Sequence, residues 1–377
     1  MTAPHTIRRP PPAGIATPRL MIPGPCQSRP DVLAAFQRPV TAHYGPSWAR
    51  THEEALTLLR QVLGAPWVYL LPGSGSLAIE AAVVNTFRPG QLVVIPRTGY
   101  FGRRLIEVAR AHGLKVRDLA VEPDRAVDPR HVADLLPGAD GVILVHVETS
   151  TGIRHPVADI AEVARQAGAA VVVDAVSSIA GEELDVQGWG VDAVAASTQK
   201  GLGCPPGLGI VALSEHGHAR TLDDHPRPWY LDLTRWDRER EESFDWEPHP
   251  VTMPTNLVFA LIASLSTMVD RGLGEWRQER ARVAEHCRER LTERGFTLVG
   301  APADRAALVV VARCGRPADV RLHVLREAGI AIAGGLDPVR DAIRIGLMGQ
   351  NGTIEMVDEC TAALGTNRWP PTEASLL

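Results

Sequence analysis

Residues 169–178 have the sequence Ala-Ala-Val-Val-Val-Asp174-Ala-Val-Ser-Ser, an apolar run that ends in an acid. The run is continuous rather than alternating, which is typical of a strand buried on both faces of a parallel sheet. Similar runs lie at 67–71, 91–95, 115–121, 141–146, 192–196 and 208–213, and helical patterns lie at 76–87, 102–111 and 157–166. This alternation predicts an open, doubly wound α/β sheet of seven mainly parallel strands.

The pattern changes after residue 256, which indicates a second domain. Two long helical patterns are followed by shorter strand and helix patterns, at 256–269, 275–294, 307–312, 319–327, 342–345 and 353–364. We therefore expect a large α/β domain over 21–256, and linking helices with a smaller α+β domain over 257–377. Residues 1–20 contain Pro10, Pro11 and Pro12 among small residues, and this composition predicts a flexible N-terminal arm.

Composition excludes several classes of function. The net charge of −5 gives no general attraction to nucleic acid or to an anionic membrane, and no apolar run approaches the roughly 20 residues of a membrane helix. The five cysteines are scattered and include no Cys-x-x-Cys pair, which argues against a disulfide framework and a structural zinc site. We therefore expect a cytoplasmic enzyme without a metal.

Lysine is almost absent from this sequence. Of 39 basic residues only Lys115 and Lys200 are lysine, so a retained lysine is a candidate for chemistry that arginine cannot perform. Imine formation is such chemistry, because a guanidinium is not deprotonated in proteins. Lys200 lies in a Gly/Pro-rich segment, 197–207, between two predicted strands, where α/β proteins place ligands. Lys115 begins a strand and is expected at the surface.

Asp174 and a glycine-rich turn provide further candidates. Asp174 is either a cap or turn residue, or the partner of the protonated pyridine nitrogen of pyridoxal 5′-phosphate, a ring that Lys200 would carry as an imine. Gly73-Ser74-Gly75-Ser76 follows a strand and opens a helix, which suits a phosphate. With Ala78 it also fits a dinucleotide fingerprint, although the acid expected about 20 residues later is missing.

Arg344 interrupts an apolar strand of the predicted smaller domain. A buried arginine needs a partner, and the residues leave two possibilities open: an internal salt bridge, or a substrate carboxylate held by two hydrogen bonds.

With these segments in this order, the chain resembles the class V aminotransferases of fold type I, within the alanine–glyoxylate / serine–pyruvate aminotransferase group. The resemblance extends from about Met21 to Leu364. It is most specific at Gln199-Lys200 with the Pro-Pro-Gly that follows, and at Arg344-Ile345-Gly346. It implies that Lys200 forms the imine with pyridoxal 5′-phosphate, that Asp174 binds its pyridine nitrogen, and that Arg344 holds the substrate carboxylate.

The same resemblance assigns the other cofactor contacts. Phe101, with Tyr100 as its neighbour, would stack on the ring, and Thr149 would reach the O3′ oxygen. The phosphate would be held by a set of residues from three segments, and Val176, close to Asp174, would also contact the cofactor. The phosphate set is Ser74, Gly75, Ser76 and Gln199, with Thr252 contributed by a second subunit.

The resemblance further implies a homodimer with the active site at the subunit interface, and small amino and keto acids as substrates. Two departures concern the substrate side: the segment 42–47 lacks the usual Arg-Ser-Pro-like sequence, and His249 occupies a position that is often tyrosine.

The predicted reaction is transamination by a ping-pong mechanism. An alanine- or serine-type donor displaces Lys200, whose amine moves a proton between the substrate Cα and the cofactor C4′, and glyoxylate or pyruvate then accepts the amino group. Alternatives are 2-aminoethylphosphonate–pyruvate transamination or a lyase of the same fold, then a nicotinamide-dependent oxidoreductase that uses residues 73–78. A binding protein without catalytic activity is the last alternative.

Overall fold

The computed structural model of the chain describes residues 17–365, so residues 1–16 of the predicted arm lie outside the described part. The strands are β1 (Arg19–Met21), β2 (Trp67–Gly73), β3 (Leu92–Arg97), β4 (Lys115–Ala120), β5 (Gly141–Val145), β6 (Val147–Glu148), β7 (Ile153–Arg154), β8 (Ala170–Asp174), β9 (Ala193–Ser197), β10 (Gly207–Leu213), β11 (Thr297–Leu298), β12 (Val309–Arg313), β13 (Ile330–Gly334) and β14 (Ala342–Gly346). The helices are α1 (Pro30–Phe36), α2 (Pro46–Leu63), α3 (Gly75–Thr86), α4 (Tyr100–Ala111), α5 (Pro129–Leu135), α6 (Val157–Gln166), α7 (Glu215–Thr221), α8 (Leu233–Glu242), α9 (Thr255–Arg271), α10 (Leu273–Glu293), α11 (Pro317–Ala328) and α12 (Ile354–Leu364).

The seven predicted strands form one sheet in the order β2-β10-β9-β8-β5-β3-β4. All neighbours are parallel except β10, which is antiparallel to β2 and β9. Every residue of β5, β8 and β9 is buried, as the continuous apolar runs predicted. The predicted α/β fold with a mainly parallel seven-stranded sheet is therefore confirmed.

This topology brings several segments to one edge of the main sheet. The carboxyl ends of β2, β5 and β8 meet there, and so does the loop between β9 and β10. Gly207, which begins β10, is paired with Gly73, which ends β2, so the Lys200 loop lies beside the glycine-rich turn. Parallel α/β sheets bind ligands at this edge.

A second sheet has the order β1-β13-β14-β12-β11 and packs with α10, α11 and α12 around its own apolar cluster. Its edge strand β1 corrects the prediction for the N-terminal arm. Arg19 and Leu20, assigned to the arm, instead pair in parallel with Ile330 and Ala331 of β13. A three-residue edge strand is too short to produce a detectable pattern, and for this reason the predicted boundary was wrong.

The long helices α9 and α10 follow the main sheet, close to the predicted ranges. Within residues 17–365 no single helix is long and apolar enough to span a membrane. The two helices meet that criterion only as a pair, with a bend of 94° between them. All five cysteines are free and buried.

Candidate active site

A cavity of about 200 Å³ lies at the sheet edge described above. Its lining residues are Ser74, Gly75, Ser76, Ile79, Phe101, Arg104, Val145, Val147, Asp174, Val176, Ser177, Gln199 and Lys200. Eight of the eleven predicted site residues are in this set, and the other three are Thr149, Thr252 and Arg344. A larger cavity of about 700 Å³, beside β4 and residues 298–304, contains none of the predicted residues. We therefore take the smaller cavity as the candidate active site.

Lys200 follows β9, and its Nζ donates a hydrogen bond to the carbonyl oxygen of Pro23. Gly24, which follows Pro23 in the chain, has a φ of 106°. A Cβ at this position would lie 2.5–2.8 Å from Cδ, Cε and Nζ of Lys200. Burial lowers the pKa of the lysine amine from 10.5 to about 8; Asp174 opposes this shift and Arg344 adds to it. The lower pKa increases the fraction of neutral, nucleophilic amine near neutral pH.

Asp174 ends β8 and is only 6% exposed. Burial raises the pKa of its carboxyl group from 3.8 to about 6, against the hydrogen bond that the Val176 N–H donates to Oδ1 at 2.9 Å. The neighbouring charge of Glu148 raises this pKa further, whereas Lys200 lowers it. A carboxylate in such a site is stabilised strongly by a cationic partner, such as a protonated ring nitrogen.

The start of α3, where the phosphate cradle is predicted, lies at the cavity. Ser74 is its N-terminal cap, and the amide groups of the first turn, including those of Gly75 and Ser76, have no partner within the helix. A Cβ at Gly75 would lie 2.6 Å from Cγ2 of Val176. Glycine therefore lets the helix start close against the cavity wall, where its N–H groups and dipole favour an anion.

The aromatic wall is Phe101 rather than Tyr100, which is 40% exposed and outside the lining. The buried carboxylate of Glu148 holds this start of α4. It accepts hydrogen bonds from the backbone N–H groups of Phe101 at 3.0 Å, Gly102 at 2.9 Å and Ser150 at 3.1 Å. A negative side chain at a helix N-terminus is stabilising, so Glu148 fixes Phe101 at the cavity.

Arg344 lies in β14 of the second sheet and reaches the end of β6. Its Nε donates to the carbonyl oxygen of Gly334 at 2.7 Å, and its Nη1 donates to that of Thr149 at 3.2 Å. Burial lowers the pKa of the guanidinium to about 10, although Glu148 opposes the shift, so the group stays charged at neutral pH. Two backbone carbonyls thus orient a cation whose charge also acts on Lys200.

Buried polar atoms at or beside the cavity lack partners. Within the described part of the chain, Gln199 Oε1, Ser197 Oγ and Thr149 Oγ1 accept or donate no hydrogen bond. An unpaired buried polar group costs about 1–3 kcal/mol. A polar ligand in the cavity would offer such atoms a partner.

The structure does not bring Thr252 into this cavity. Thr252 is exposed in the segment before α9. His249, on the same segment, is buried and accepts a hydrogen bond from Trp48 Nε1–H at 2.7 Å. The Gly45 N–H donates to the carbonyl oxygen of Trp246 at 2.8 Å. The two departures at 42–47 and His249 therefore form one cluster, separate from the lining around Lys200.

Sequence reasoning missed two residues, Glu148 and Arg104. Arg104 lines the cavity and donates from Nη2 to Ser76 Oγ at 2.6 Å. Its position three residues after Phe101 places both on one face of α4, and this spacing was an available signal. Glu148 was detectable only as the single acid in the stretch 141–152, because its partners are backbone amides of another segment.

Comparisons with known proteins show the family and the fold. A family model described as "Aminotransferase class-V" matches residues 31–358. The alanine–glyoxylate aminotransferase of Oryctolagus cuniculus is 30% identical, over 96% of this chain and 94% of the relative. The (S)-ureidoglycine–glyoxylate transaminase of Bacillus subtilis is also 30% identical, over 88% and 85%. The crystal structure of an alanine–glyoxylate aminotransferase from Nostoc sp. has a TM-score of 0.89 at 29% identity, covering 97% of this chain and 99% of that one.

The fold and these similarities define a pyridoxal phosphate-dependent transaminase of fold type I. The chain belongs to the class V aminotransferase family. The nicotinamide interpretation of residues 73–78 is thereby set aside.

The residues of the cavity fit the cofactor. The start of α3 offers an anion cradle, Asp174 offers a carboxylate for a ring nitrogen, and Lys200 offers an amine. The unpartnered Gln199 Oε1 adds a polar group to the lining, and Thr149 Oγ1 is unpartnered outside it.

Proposed function

We propose that the protein transfers an amino group from a small amino acid of the alanine or serine type to a small 2-oxo acid such as glyoxylate or pyruvate. The observation that carries the proposal is the convergence of Lys200, Asp174 and the α3 cradle on one cavity, with Arg344 oriented nearby. The relatives named above are similar over nearly the whole chain, and their names include glyoxylate, which supports this acceptor class.

Lys200 acts as both the attachment point and the proton carrier. Bound pyridoxal phosphate supplies an electron sink that stabilises negative charge at the substrate α-carbon. Once a donor had displaced it, the Nζ of Lys200 would take the proton from that α-carbon and deliver it to the cofactor C4′, and it would move a proton in the reverse direction in the second half of a ping-pong cycle. The pKa of about 8 keeps a sufficient fraction of this amine neutral. Before the cofactor is attached, the carbonyl oxygen of Pro23 orients the free amine of Lys200.

Asp174 and Arg344 have different partners: Asp174 binds the cofactor ring, and Arg344 binds the substrate. The carboxylate of Asp174 would hold the ring nitrogen and favour its protonated form, which maintains the electron sink. Arg344 has N–H groups left after its bonds to Gly334 and Thr149, and these donate to the substrate carboxylate. A small donor suits a cavity of about 200 Å³ that would also have to hold the cofactor ring.

Half-reactions test this proposal most simply. Alanine, serine and 2-aminoethylphosphonate are added singly to the holoenzyme while its visible absorption is recorded, and glyoxylate or pyruvate follows. We expect alanine or serine to bleach the band and the oxo acid to restore it. Bleaching by 2-aminoethylphosphonate alone would replace the proposed substrate with the phosphonate. Irreversible release of an oxo acid would indicate a lyase.

We also propose a homodimer in which Thr252 completes the phosphate site of a second copy. The exposure of Thr252 and its absence from the lining of its own cavity support this arrangement. Mixed dimers are the test: Lys200→Ala and Thr252→Ala subunits are combined, and cofactor affinity is measured. If Thr252 acts across the interface, the subunit with the intact lysine receives the intact threonine of its partner, so one site of each hybrid dimer recovers wild-type cofactor affinity. Weak binding at the lysine-containing site of the hybrid would refute the arrangement, because it would place Thr252 in the same site as the lysine of its own subunit.

A further inference from the structure

Arg104 connects two helices at the rim of the cavity. It lies on α4, lines the cavity, and donates from Nη2 to Ser76 Oγ in the first turn of α3 at 2.6 Å. The bond is short and charge-assisted, so it belongs to the stronger class of side-chain hydrogen bonds.

This hydrogen bond fixes the role of the Ser76 hydroxyl group. A guanidinium has five N–H donors and no acceptor, so Ser76 Oγ accepts and its own proton remains available. We find no acceptor for that proton among residues 17–365. The hydroxyl is therefore prepared to donate to an anion at the start of α3, alongside the backbone N–H groups.

The charged side chains that line the cavity support the same conclusion. Its lining contains three charged side chains, Arg104, Asp174 and Lys200. In the proposed function Asp174 pairs with the ring nitrogen and Lys200 reacts with the aldehyde. Arg104 is then the cation of the lining that remains to balance a phosphate group of charge about −2.

We propose that Arg104 is the cationic residue of the phosphate site, and that it positions the Ser76 hydroxyl group as a phosphate donor. The proposal rests on the proposed function, because it assumes that the phosphate binds at the start of α3. It assigns to Arg104 a contribution to cofactor affinity that depends on the phosphate and not on the ring.

The matched control is the adjacent residue, Arg103. Its side chain is 45% exposed, lies 3.7 Å from Asp337 and is outside the cavity lining. Arg103→Gln and Arg104→Gln remove the same charge from the same helix. A general effect of net charge or helix stability would appear in both variants.

The experiment compares pyridoxal phosphate with pyridoxal, which lacks the phosphate, as ligands of the apoprotein. Loss of a charge-assisted contact of about 1.5–3 kcal/mol predicts a rise of about 10- to 100-fold in the Kd for pyridoxal phosphate in Arg104→Gln. The Kd for pyridoxal should stay nearly unchanged, and Arg103→Gln should match the wild type for both ligands. Equal weakening for both ligands, or no weakening for either, would overturn the proposal.

Two further measurements separate this proposal from misfolding and from failure of the proposed function. Inorganic phosphate should raise the thermal midpoint of the wild-type and Arg103→Gln apoproteins and have little effect on Arg104→Gln. Arg104→Lys, which keeps the charge but not the fork of donors, should recover part of the phosphate-dependent affinity. If the wild type formed no lysine-dependent absorption band, the proposed function itself would fail, whatever Arg104 did.

Discussion

Gly24 is the residue at which a single methyl group should matter most. Its φ of 106° is unfavourable for other residues, and a Cβ would collide with the Lys200 side chain. We expect Gly24→Ala to displace the amine from Pro23 and lower the rate of imine formation by an order of magnitude or more. Rapid mixing of apoprotein with pyridoxal phosphate measures this rate. Gly90→Ala, at another positive φ with open space around it, controls for backbone strain.

Asp174 should lower the stability of the apoprotein, although it is expected to bind the cofactor in the holoenzyme. Its native pKa of about 6 exceeds the ordinary 3.8, so the native state binds the proton more tightly than the unfolded chain. The carboxyl group therefore reduces stability as pH rises from about 4 through 6, by up to about 3 kcal/mol for a shift of this size. Asp174→Asn should unfold at a higher temperature than wild-type apoprotein at pH 8, with a difference roughly one third as large at pH 4.5. The opposite ordering would contradict a buried, destabilised carboxylate.

At the scale of elements, the sequence predicted what long patterns carry. The strands at 141–146 and 169–174 could be predicted because a strand buried on both faces requires continuous hydrophobic residues. Strand β1 was missed because three residues show no period. Helix α2 was missed although Pro46 begins it and Gly64 ends it in the left-handed conformation, both ordinary end signals.

The site followed the same rule. Lys200 and Asp174 were predictable because they lie at strand ends, where topology brings them together. Glu148 and Arg104 were not predicted. The spacing of Arg104 from Phe101 was an available signal, but each residue acts through a partner on another element: backbone amides of α4 for Glu148, and Ser76 of α3 for Arg104. The role of Thr252 stays a prediction, because a single chain does not contain the interface.

The junction between Glu148 and α4 gives a prediction for that element. In Glu148→Gln the amide group loses the charge and presents donors to the N–H groups of Phe101 and Gly102. We expect faster hydrogen exchange at these two amides, and destabilisation of about 1–3 kcal/mol. Glu107→Gln, on the exposed face of the same helix, should leave both unchanged. Unaltered protection in Glu148→Gln would show that packing alone holds the helix start.

For the whole molecule, buried histidines should determine acid stability. Burial lowers the pKa values of His52, His146 and His155 to about 3 and that of His249 to about 4. Below about pH 6.5 the unfolded chain binds protons that the native state does not. The free energy of unfolding therefore decreases as the pH is lowered, by up to about 1.4 kcal/mol per pH unit for each histidine. Urea unfolding of the apoprotein from pH 7.5 to 5 measures this slope.

A paired variant isolates one site of this acid response. His52→Gln should reduce the dependence of the unfolding free energy on pH by the contribution of about one proton. His131→Gln, at an exposed position, should not change it. Asp174 acts in the opposite direction below about pH 6 and is identical in both variants. A slope unaffected by His52→Gln would mean that this histidine titrates alike in the folded and unfolded chains.

The central claim is that Lys200 carries the cofactor, and the scarcity of lysine makes one measurement decisive. Holoenzyme is reduced with borohydride, which fixes an imine as a stable secondary amine, and the modified residue is located by peptide mass spectrometry. The chain offers only Lys115, Lys200 and its N-terminal amine as sites. We predict modification of Lys200, retained in Lys115→Arg and lost in Lys200→Arg. Modification at Lys115 or at the N-terminus, or none at all, would contradict the account.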